Sequence, residues 1–343
     1  MNILCDYRDV FGSKFDAIPY RSGLNKNLLD EYLKALNIRA RFVKYTETNL
    51  NQDDPGEFYW HDSIEDINYH YKTYMEDVIY ALELKGFNVI PGHKYIKAHN
   101  NKVFMEFLRK LSDQNEINNL NSRHFGCYEE FVEDSSEIGY PMVIKGAEDA
   151  QSRKVRLGKD YASARKFIKE ISRTPSCLKE IKEMIREKKY PGYIKESKYR
   201  NKFIVQEFLP TLKNDWKILI FGDKLYILRR GVPEGDFRAS GSHYQYGFGS
   251  QSTPPDGIFD YAFTIYEDFN VPYISIDVVF DGEKFYAIEF QFVSFGSSTH
   301  LYSDCYYKKN GESWEPVYEK HDLEYLYADS ISQYIRRNYP DSK

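Results

Sequence analysis

Asp277, Glu289 and Gln291 stand in two apolar stretches, Ile274–Phe280 and Phe285–Gln291, on either side of an Asp281-Gly282 turn signal. Apolar runs flanking such a turn predict a β-hairpin. Glu289 and Gln291 are two residues apart and so project from one face. Asp277 joins that face only if the connection holds an odd number of residues or the ladder carries a bulge, because a one-residue slip inverts a strand's faces. Carboxylates in buried strand sequence require a cation. Two carboxylates and an amide oxygen suit magnesium, which keeps water and substrate phosphate as its other ligands. The structural alternative is that Asp277 and Glu289 pair with buried arginines.

Basic residues precede this hairpin. The apolar strand Tyr140–Lys145 ends on a lysine, which can reach phosphate as a point charge. Asn214-Asp215-Trp216-Lys217 opens a strand, Arg229-Arg230 closes its partner, and Gly235-Asp236-Phe237-Arg238 follows. Lys217, Arg229, Arg230 and Arg238 therefore form a basic group in a chain of net charge −5. A phosphate held with magnesium accounts for both signs of charge together. Arg229 and Arg230 alternate faces, so at most one enters such a site, and Arg230 is favoured. Ile204–Pro210 reads as a strand running into a connector whose backbone could pair with an adenine edge, with Glu207 or a neighbour reading the amino group.

The elements that must position these groups follow from periodicity and turn chemistry. In residues 1–98 a strand at Ile3–Cys5, a helix at Asn27–Leu36 and a strand at Arg39–Tyr45 precede a polar loop at Asn49–Gly56. A helix at Tyr69–Lys85, with Met75, Val78, Ile79 and Leu82 at helical spacing, ends at Gly86 before the strand Asn88–Pro91, a βαβ-type pattern. Residues 99–209 begin with a helix at Asn101–Leu111 and hold strands at Met142–Lys145 and Phe203–Phe208, with charged amphipathic helices at Tyr161–Ile171 and Ser176–Lys188. Residues 210–343 are strand-rich: one hairpin turns at Gly222-Asp223, the carboxylate hairpin follows, and a helix at Leu323–Arg337 closes the chain.

Composition narrows the function. At 343 residues the chain can form two or three lobes, and 42% hydrophobic with 29% charged residues marks an ordinary globular protein. Net charge of −5 offers no general attraction for nucleic acid or an anionic membrane. No apolar run approaches the roughly 20 residues that span a bilayer, and the N-terminus lacks signal-peptide character. The four cysteines (Cys5, Cys127, Cys177, Cys305) are far apart, with no zinc spacing, and read as free thiols of a cytoplasmic protein. The 31 tyrosines are spread over every segment and read as core and interface filler.

Taken in order, the Gln-Glu-Phe-Leu connector, the Asp-x-Lys strand opening, the Gly-Asp-Phe-Arg stretch and the Asp…Glu-x-Gln hairpin resemble the ATP-grasp superfamily. The branch containing glutamate ligases that modify ribosomal protein is most similar, and glutathione synthetase and D-alanine–D-alanine ligase are more distant. The resemblance covers roughly Lys102–Phe295. It implies an α/β (α+β) fold in which two α+β lobes sandwich ATP: an N-terminal pre-ATP-grasp α/β domain at 1–98, a linker helix and small lobe at 99–209, and a C-terminal lobe with the metal site at 210–343. It further implies that Lys102 and Lys145 contact phosphate, that Gln206, Glu207, Phe208 and Leu209 form the hinge holding adenine, and that Asp215 and Lys217 lie near the nucleotide. Arg230 and Arg238 would meet the γ-phosphate or the acceptor carboxylate, and Asp277, Glu289 and Gln291 would bind Mg2+.

Two departures stand out. The family commonly has asparagine where Gln291 stands. Its glycine-rich lid loop reads here Gly146–Val155, with Ser152, Arg153 and Lys154 offering side chains instead of backbone amides. The expected activity is that of an ATP-dependent carboxylate–amine ligase acting through an acylphosphate on a small molecule or peptide, with no nucleic-acid or membrane partner; a homodimer is compatible with it. The alternatives are a phosphotransferase to a hydroxyl and a non-catalytic ATP-binding protein. His243 and His300 flank the site in sequence and read as structural. Phe292–Thr299, with Gly296 and hydroxyl residues, could orient the acceptor.

Overall fold

A computed structural model describes residues 1–14, 22–51, 56–64, 66–134, 138–148, 154–174, 176–210, 212–241 and 243–340. The expected lid residues Ser152 and Arg153 lie outside the described residues. Among the described residues no helix is long and apolar enough to cross a membrane.

The chain opens with β1 (Asn2–Cys5), α1 (Lys26–Ala35), β2 (Arg41–Lys44), β3 (Phe58–His61), α2 (His70–Lys85) and β4 (Asn88–Ile90). Their strands form a parallel sheet in the order β2-β1-β3-β4. The local reasons are visible. Asn25 caps α1 by accepting the backbone N–H groups of Asn27 and Leu28 at 3.1 and 3.2 Å, and Leu29 and Leu33 are buried. Gly86 ends α2 at φ 93°, a left-handed backbone that favours glycine. Strand β3 was not among the expected elements. Its four residues, Phe-Tyr-Trp-His, show no alternation, and it becomes a strand by pairing between β1 and β4.

Helices α3 (His93–Ala98), α4 (Lys102–Leu111) and α5 (Asn115–Asn118) lead into a second unit: β5 (Ser122–Phe125), α6 (Tyr128–Glu133), β6 (Met142–Gly146), β7 (Val155–Gly158), α7 (Tyr161–Ser172), α8 (Cys177–Lys189) and β8 (Phe203–Glu207). Its antiparallel sheet runs β5-β8-β6-β7. It has a core of its own, in which Phe131, Met142, Ile144, Ile168 and Phe203 are buried.

The third sheet is antiparallel and largest: β9 (Asn214–Phe221), β10 (Lys224–Gly231), β11 (Gly247–Phe248), β12 (Tyr273–Phe280), β13 (Phe285–Gln291), β14 (Tyr306–Asn310) and β15 (Ser313–Val317). The order is β13-β12-β9-β10-β14-β15, with β11 beside β10. Helices α9 (Ile258–Phe269), α10 (Ser298–Tyr302) and α11 (Leu323–Asn338) complete the chain. Both expected hairpins form, with Gly222 and Gly282 at φ 58° and 108° in their turns. Helix α9, absent from the expected elements, buries seven of its residues, among them Ile258, Ala262, Ile265 and Phe269. Ile258, Tyr261, Ala262, Ile265, Tyr266 and Phe269 recur at helical spacing, so one apolar face of this helix is legible in the sequence.

Alternation along this sheet separates core from cleft. Trp216, Ile218 and Ile220 of β9 and Ile274, Ile276 and Val278 of β12 join α9 in one core. On the opposite face, Leu219, Phe221, Tyr226 and Tyr273 join a second core with Ile3, Trp60, Leu29 and α11. Farther along that second face the residues turn polar: Asp215 and Lys217 on β9, Arg230 on β10, Ser275 and Asp277 on β12. One face thus changes from core to site within a single strand.

Candidate functional site

The register of β12 and β13 decides whether the carboxylates meet. From Phe280↔Phe285 to Val278↔Ala287 the ladder is regular; it then shifts, so that Asp277 faces Glu289 and Ser275 faces Gln291. Ile288 is the extra residue of a bulge. The four-residue connection 281–284 alone would have set Asp277 against Ile288; the bulge brings Glu289 and Gln291 onto the face of Asp277.

Cations converge on the same place from several elements. Lys102, at the first position of α4, sets its Nζ 3.6 Å from Glu289 Oε1. Lys145, next to last in β6, crosses from the small sheet and donates from Nζ to the carbonyl of Ile288 at 3.4 Å, so the bulge residue meets the lysine. On the large sheet, Arg230 forks onto Asp215, Nε to Oδ1 at 2.6 Å and Nη2 to Oδ2 at 2.9 Å, and its Nη2 also reaches Asp277 Oδ2 at 2.8 Å. Lys217 Nζ donates to Ser275 Oγ at 2.9 Å and stands 3.7 Å from Asp277 Oδ1. Arg230 pairs with Asp215 across the ladder, whereas Arg229 pairs with Trp216 on the other face. The structural alternative for Asp277, pairing with a buried arginine, is therefore realised, yet only through one of its oxygens.

Burial and charge set the protonation states. Burial depresses the Lys145 ammonium, Glu289 opposes that shift, and Lys102 adds to it. Burial also disfavours ionised Asp277, but the Arg230 guanidinium and the Lys217 ammonium outweigh it and hold this carboxyl below the usual carboxylate range. Burial pushes the Asp215 carboxyl up, with the nearby Asp277 adding to that, while Arg230 and Lys217 pull it down. Arg230 itself is raised: burial works against its charge, but Asp277 and Asp215 prevail.

Above these groups lies a cleft of about 830 Å³, counting its solvent-facing mouth, between the small and large sheets. Val143, Val155, Phe208, Leu209, Val279 and Ile288 form apolar walls, and Lys145, Asp215, Arg238, Asp277 and Glu289 supply charge. Gln206 and Glu207 line it too, but their side chains are engaged: Gln206 Nε2 donates to Glu106 Oε1 at 3.0 Å, and Glu207 Oε1 accepts the backbone N–H of Asn121 at 2.8 Å. Arg238 forms an ion pair with Asp236 at 2.9 Å at the cleft edge. Lys102, Lys217, Arg230 and Gln291 do not line the cleft wall; the first three form ion pairs with carboxylates that do, at 3.6, 3.7 and 2.8 Å. His300 packs on the Tyr226 ring and its Nε2 meets the carbonyl of His321 at 2.8 Å, a structural setting. Sequence reasoning missed Ser275 and the wall residues Val143, Val155, Val279 and Ile288, although Val143 and Lys145, and Ser275, Asp277 and Val279, are two apart and share faces.

The donor set suits magnesium. Asp277, Glu289 and Gln291 offer only oxygen, and among the described residues Asp277 Oδ1 is buried without a hydrogen bond. Among the described residues no group of three or more His, Cys, Asp or Glu gathers as a metal site. Two carboxylates and an amide fit an ion that draws its remaining ligands from water and phosphate.

Solved structures of like architecture identify the fold. The chain matches D-cycloserine synthetase DcsG with a TM-score of 0.52 and 9% identity, over 97% of this chain and 98% of that one. It matches ATP-grasp ligase PsnB, complexed with a phosphomimetic variant of minimal precursor, Mg and ADP, with a TM-score of 0.50 and 12% identity, over 97% and 98%. The chain has the ATP-grasp fold. The chain also matches N5-carboxyaminoimidazole synthetase from Staphylococcus aureus with a TM-score of 0.51 and 7% identity, over 97% of this chain and 77% of that one. No protein-family model matches the sequence, and no curated protein does. Identities this low carry the ATP-grasp fold and nothing finer.

Proposed function

We propose that the protein is an ATP- and magnesium-dependent ligase that activates a carboxylate and joins it to an amine. One observation carries the reading: Asp277 and Glu289 oppose each other at a bulge, under a cleft, with lysines delivered to them from the linker helix and from the small sheet. Opposite charges drawn from separate elements to one point are costly unless a polyanion and a cation use them. Asp277, Glu289 and Gln291 would hold magnesium, whose contribution is Lewis-acid stabilisation of charge on phosphate oxygens. Lys102 and Lys145 would move from Glu289 and the Ile288 carbonyl onto phosphate oxygens, giving charge-assisted contacts in a water-poor cleft. Phe208 and Leu209 would receive the base, with backbone groups at its edge. Transfer of the γ-phosphoryl to a carboxylate then needs positioning and charge compensation more than covalent help from the protein. The amine nitrogen would then attack the acyl carbon of the mixed anhydride and expel phosphate as it loses its proton, giving an amide, ADP and phosphate; shielding the anhydride from water prevents hydrolysis. The synthetase and ligase names of DcsG and PsnB, and the precursor bound by PsnB, support small-molecule and peptide substrates as the first to try.

The test is ADP release from the full chain with ATP and magnesium across amino acids, short peptides and amino or uronic sugars, with mass spectrometry of the products. The expected result is ADP release that requires both a carboxylate and an amine, with loss of one water from the joined mass. A stable phosphorylated product formed without amine would replace this reading with a phosphotransferase.

A further inference from the structure

We propose that Asp215 is a positioning residue: it holds the Arg230 fork so that one oxygen of Asp277 stays open to a divalent cation. The inference rests on the ligase reading of the same site and assigns Asp215 a role other than nucleotide contact. A guanidinium and a carboxylate left to themselves prefer two parallel hydrogen bonds, which would consume both oxygens of Asp277. Here Arg230 spends Nε and one N–H of Nη2 on Asp215, at 2.6 and 2.9 Å, and gives Asp277 Oδ2 a contact at 2.8 Å from that same Nη2. The second cation is diverted likewise. Ser275 Oγ holds the Lys217 ammonium at 2.9 Å, leaving it 3.7 Å from Asp277 Oδ1, beyond hydrogen-bond distance.

Two polar residues thus each draw a cation away from Asp277. The ladder makes this possible, because Asp215 faces Arg230, Lys217 faces Asp277, and Ser275 lies two residues before Asp277 on the same face. The result is a carboxylate oxygen that is buried and, among the described residues, accepts no hydrogen bond. Such an oxygen is costly unless something meets it in the working state. A divalent ion brought with nucleotide would, with Glu289 standing directly across the ladder. Asp215 and Ser275 therefore tune metal binding through Arg230 and Lys217, as outer-shell partners do.

The experiment uses the full chain as wild type, Asp215→Asn and Ser275→Ala, with Mn2+ as probe, its binding followed by electron paramagnetic resonance in the presence of ADP. ADP affinity in EDTA is measured by calorimetry on the same samples. In Asp215→Asn the fork is free to close on Asp277, so the Mn2+ dissociation constant should rise about tenfold or more, the usual cost of losing an outer-shell partner. Metal-free ADP affinity should hold or tighten, because the site gains a net positive charge. Ser275→Ala should shift Mn2+ binding in the same direction by a smaller factor, with thermal stability close to wild type. A merely structural Asp215 would lower stability while leaving the Mn2+ constant of the folded fraction unchanged. Wild-type Mn2+ affinity in both variants overturns the proposal; if Asp215→Asn does not fold, unchanged affinity in Ser275→Ala does so alone. Absence of ADP-dependent Mn2+ binding in the wild type would instead remove the nucleotide-site reading itself.

Discussion

Replacing Lys145 with methionine should move stability and nucleotide affinity in opposite directions. Lys145 is 8% exposed, and among the described residues its ammonium makes one long contact, 3.4 Å to the Ile288 carbonyl, beside Glu289. Burial disfavours that charge, so without nucleotide the protein bears a desolvation cost that the contact only partly offsets. Methionine keeps the length and apolar stem and removes the cost. Glu289 keeps Lys102 at 3.6 Å, and its side chain remains 29% exposed, so it is not stranded. Unfolding free energy without nucleotide should therefore stay level or rise, by up to about 1–4 kcal/mol as when buried charge gives way to apolar packing. With nucleotide the lysine would make a charge-assisted contact worth about 1.5–3 kcal/mol, so affinity for a non-hydrolysable ATP analogue with magnesium should fall about 10- to 100-fold. Urea unfolding without ligand and calorimetric titration of the analogue measure the two quantities. A variant that loses more than about 2 kcal/mol of stability yet binds the analogue normally would make Lys145 a structural residue and refute the argument.

Further outcomes follow from the same geometry. Glu289→Ala should lose turnover by about 100-fold or more while its unfolding free energy stays within about 1 kcal/mol, because the group is partly solvated; full activity would remove Glu289 from the site. Glu106→Ala should cost about 3–5 kcal/mol in denaturant unfolding, since the fully buried carboxylate accepts from Arg109 at 3.1 Å, Gln206 at 3.0 Å and Ser122, and its loss strands a buried guanidinium. A small effect there would show that the hinge strand does not depend on this anchor. His99 is 3% exposed, and its pKa is lowered from 6.5 to about 3 by burial, with Lys72 and Lys102 adding to the shift. The unfolded chain takes up a proton below pH 6.5 that the folded one refuses, so stability present above that pH is lost as pH falls toward 3. Between pH 6.5 and 5 the wild type should lose about 2 kcal/mol more than His99→Gln, at about 1.4 kcal/mol per pH unit; parallel profiles would exclude a neutral buried imidazole.

Much of the molecule follows from local chemistry. Turn residues and alternating apolar runs specify both hairpins of the large sheet, and caps and helical spacing specify α1, α2, α7, α8 and α11. The types of the site residues, oxygen ligands downstream of lysines and arginines, are likewise set by composition along the strands. Local pattern is weaker where an element owes its state to its neighbours. Strand β3 is four aromatic-rich residues between two partners.

Tertiary structure made the choices that turn these residues into a site. Nothing around Ile288 announces a bulge, yet that one extra residue decides whether Glu289 faces Asp277 or the opposite side of the sheet. Alternation admits Arg229 or Arg230; only the pairing of Arg230 with Asp215 across the ladder selects the second. Gln206 and Glu207 read as ligands along the chain, but Glu106 and Asn121, distant in sequence, claim their side chains. The physical reason is common to all three: face and period are properties of a strand, whereas register and hydrogen-bond partners are properties of what packs beside it.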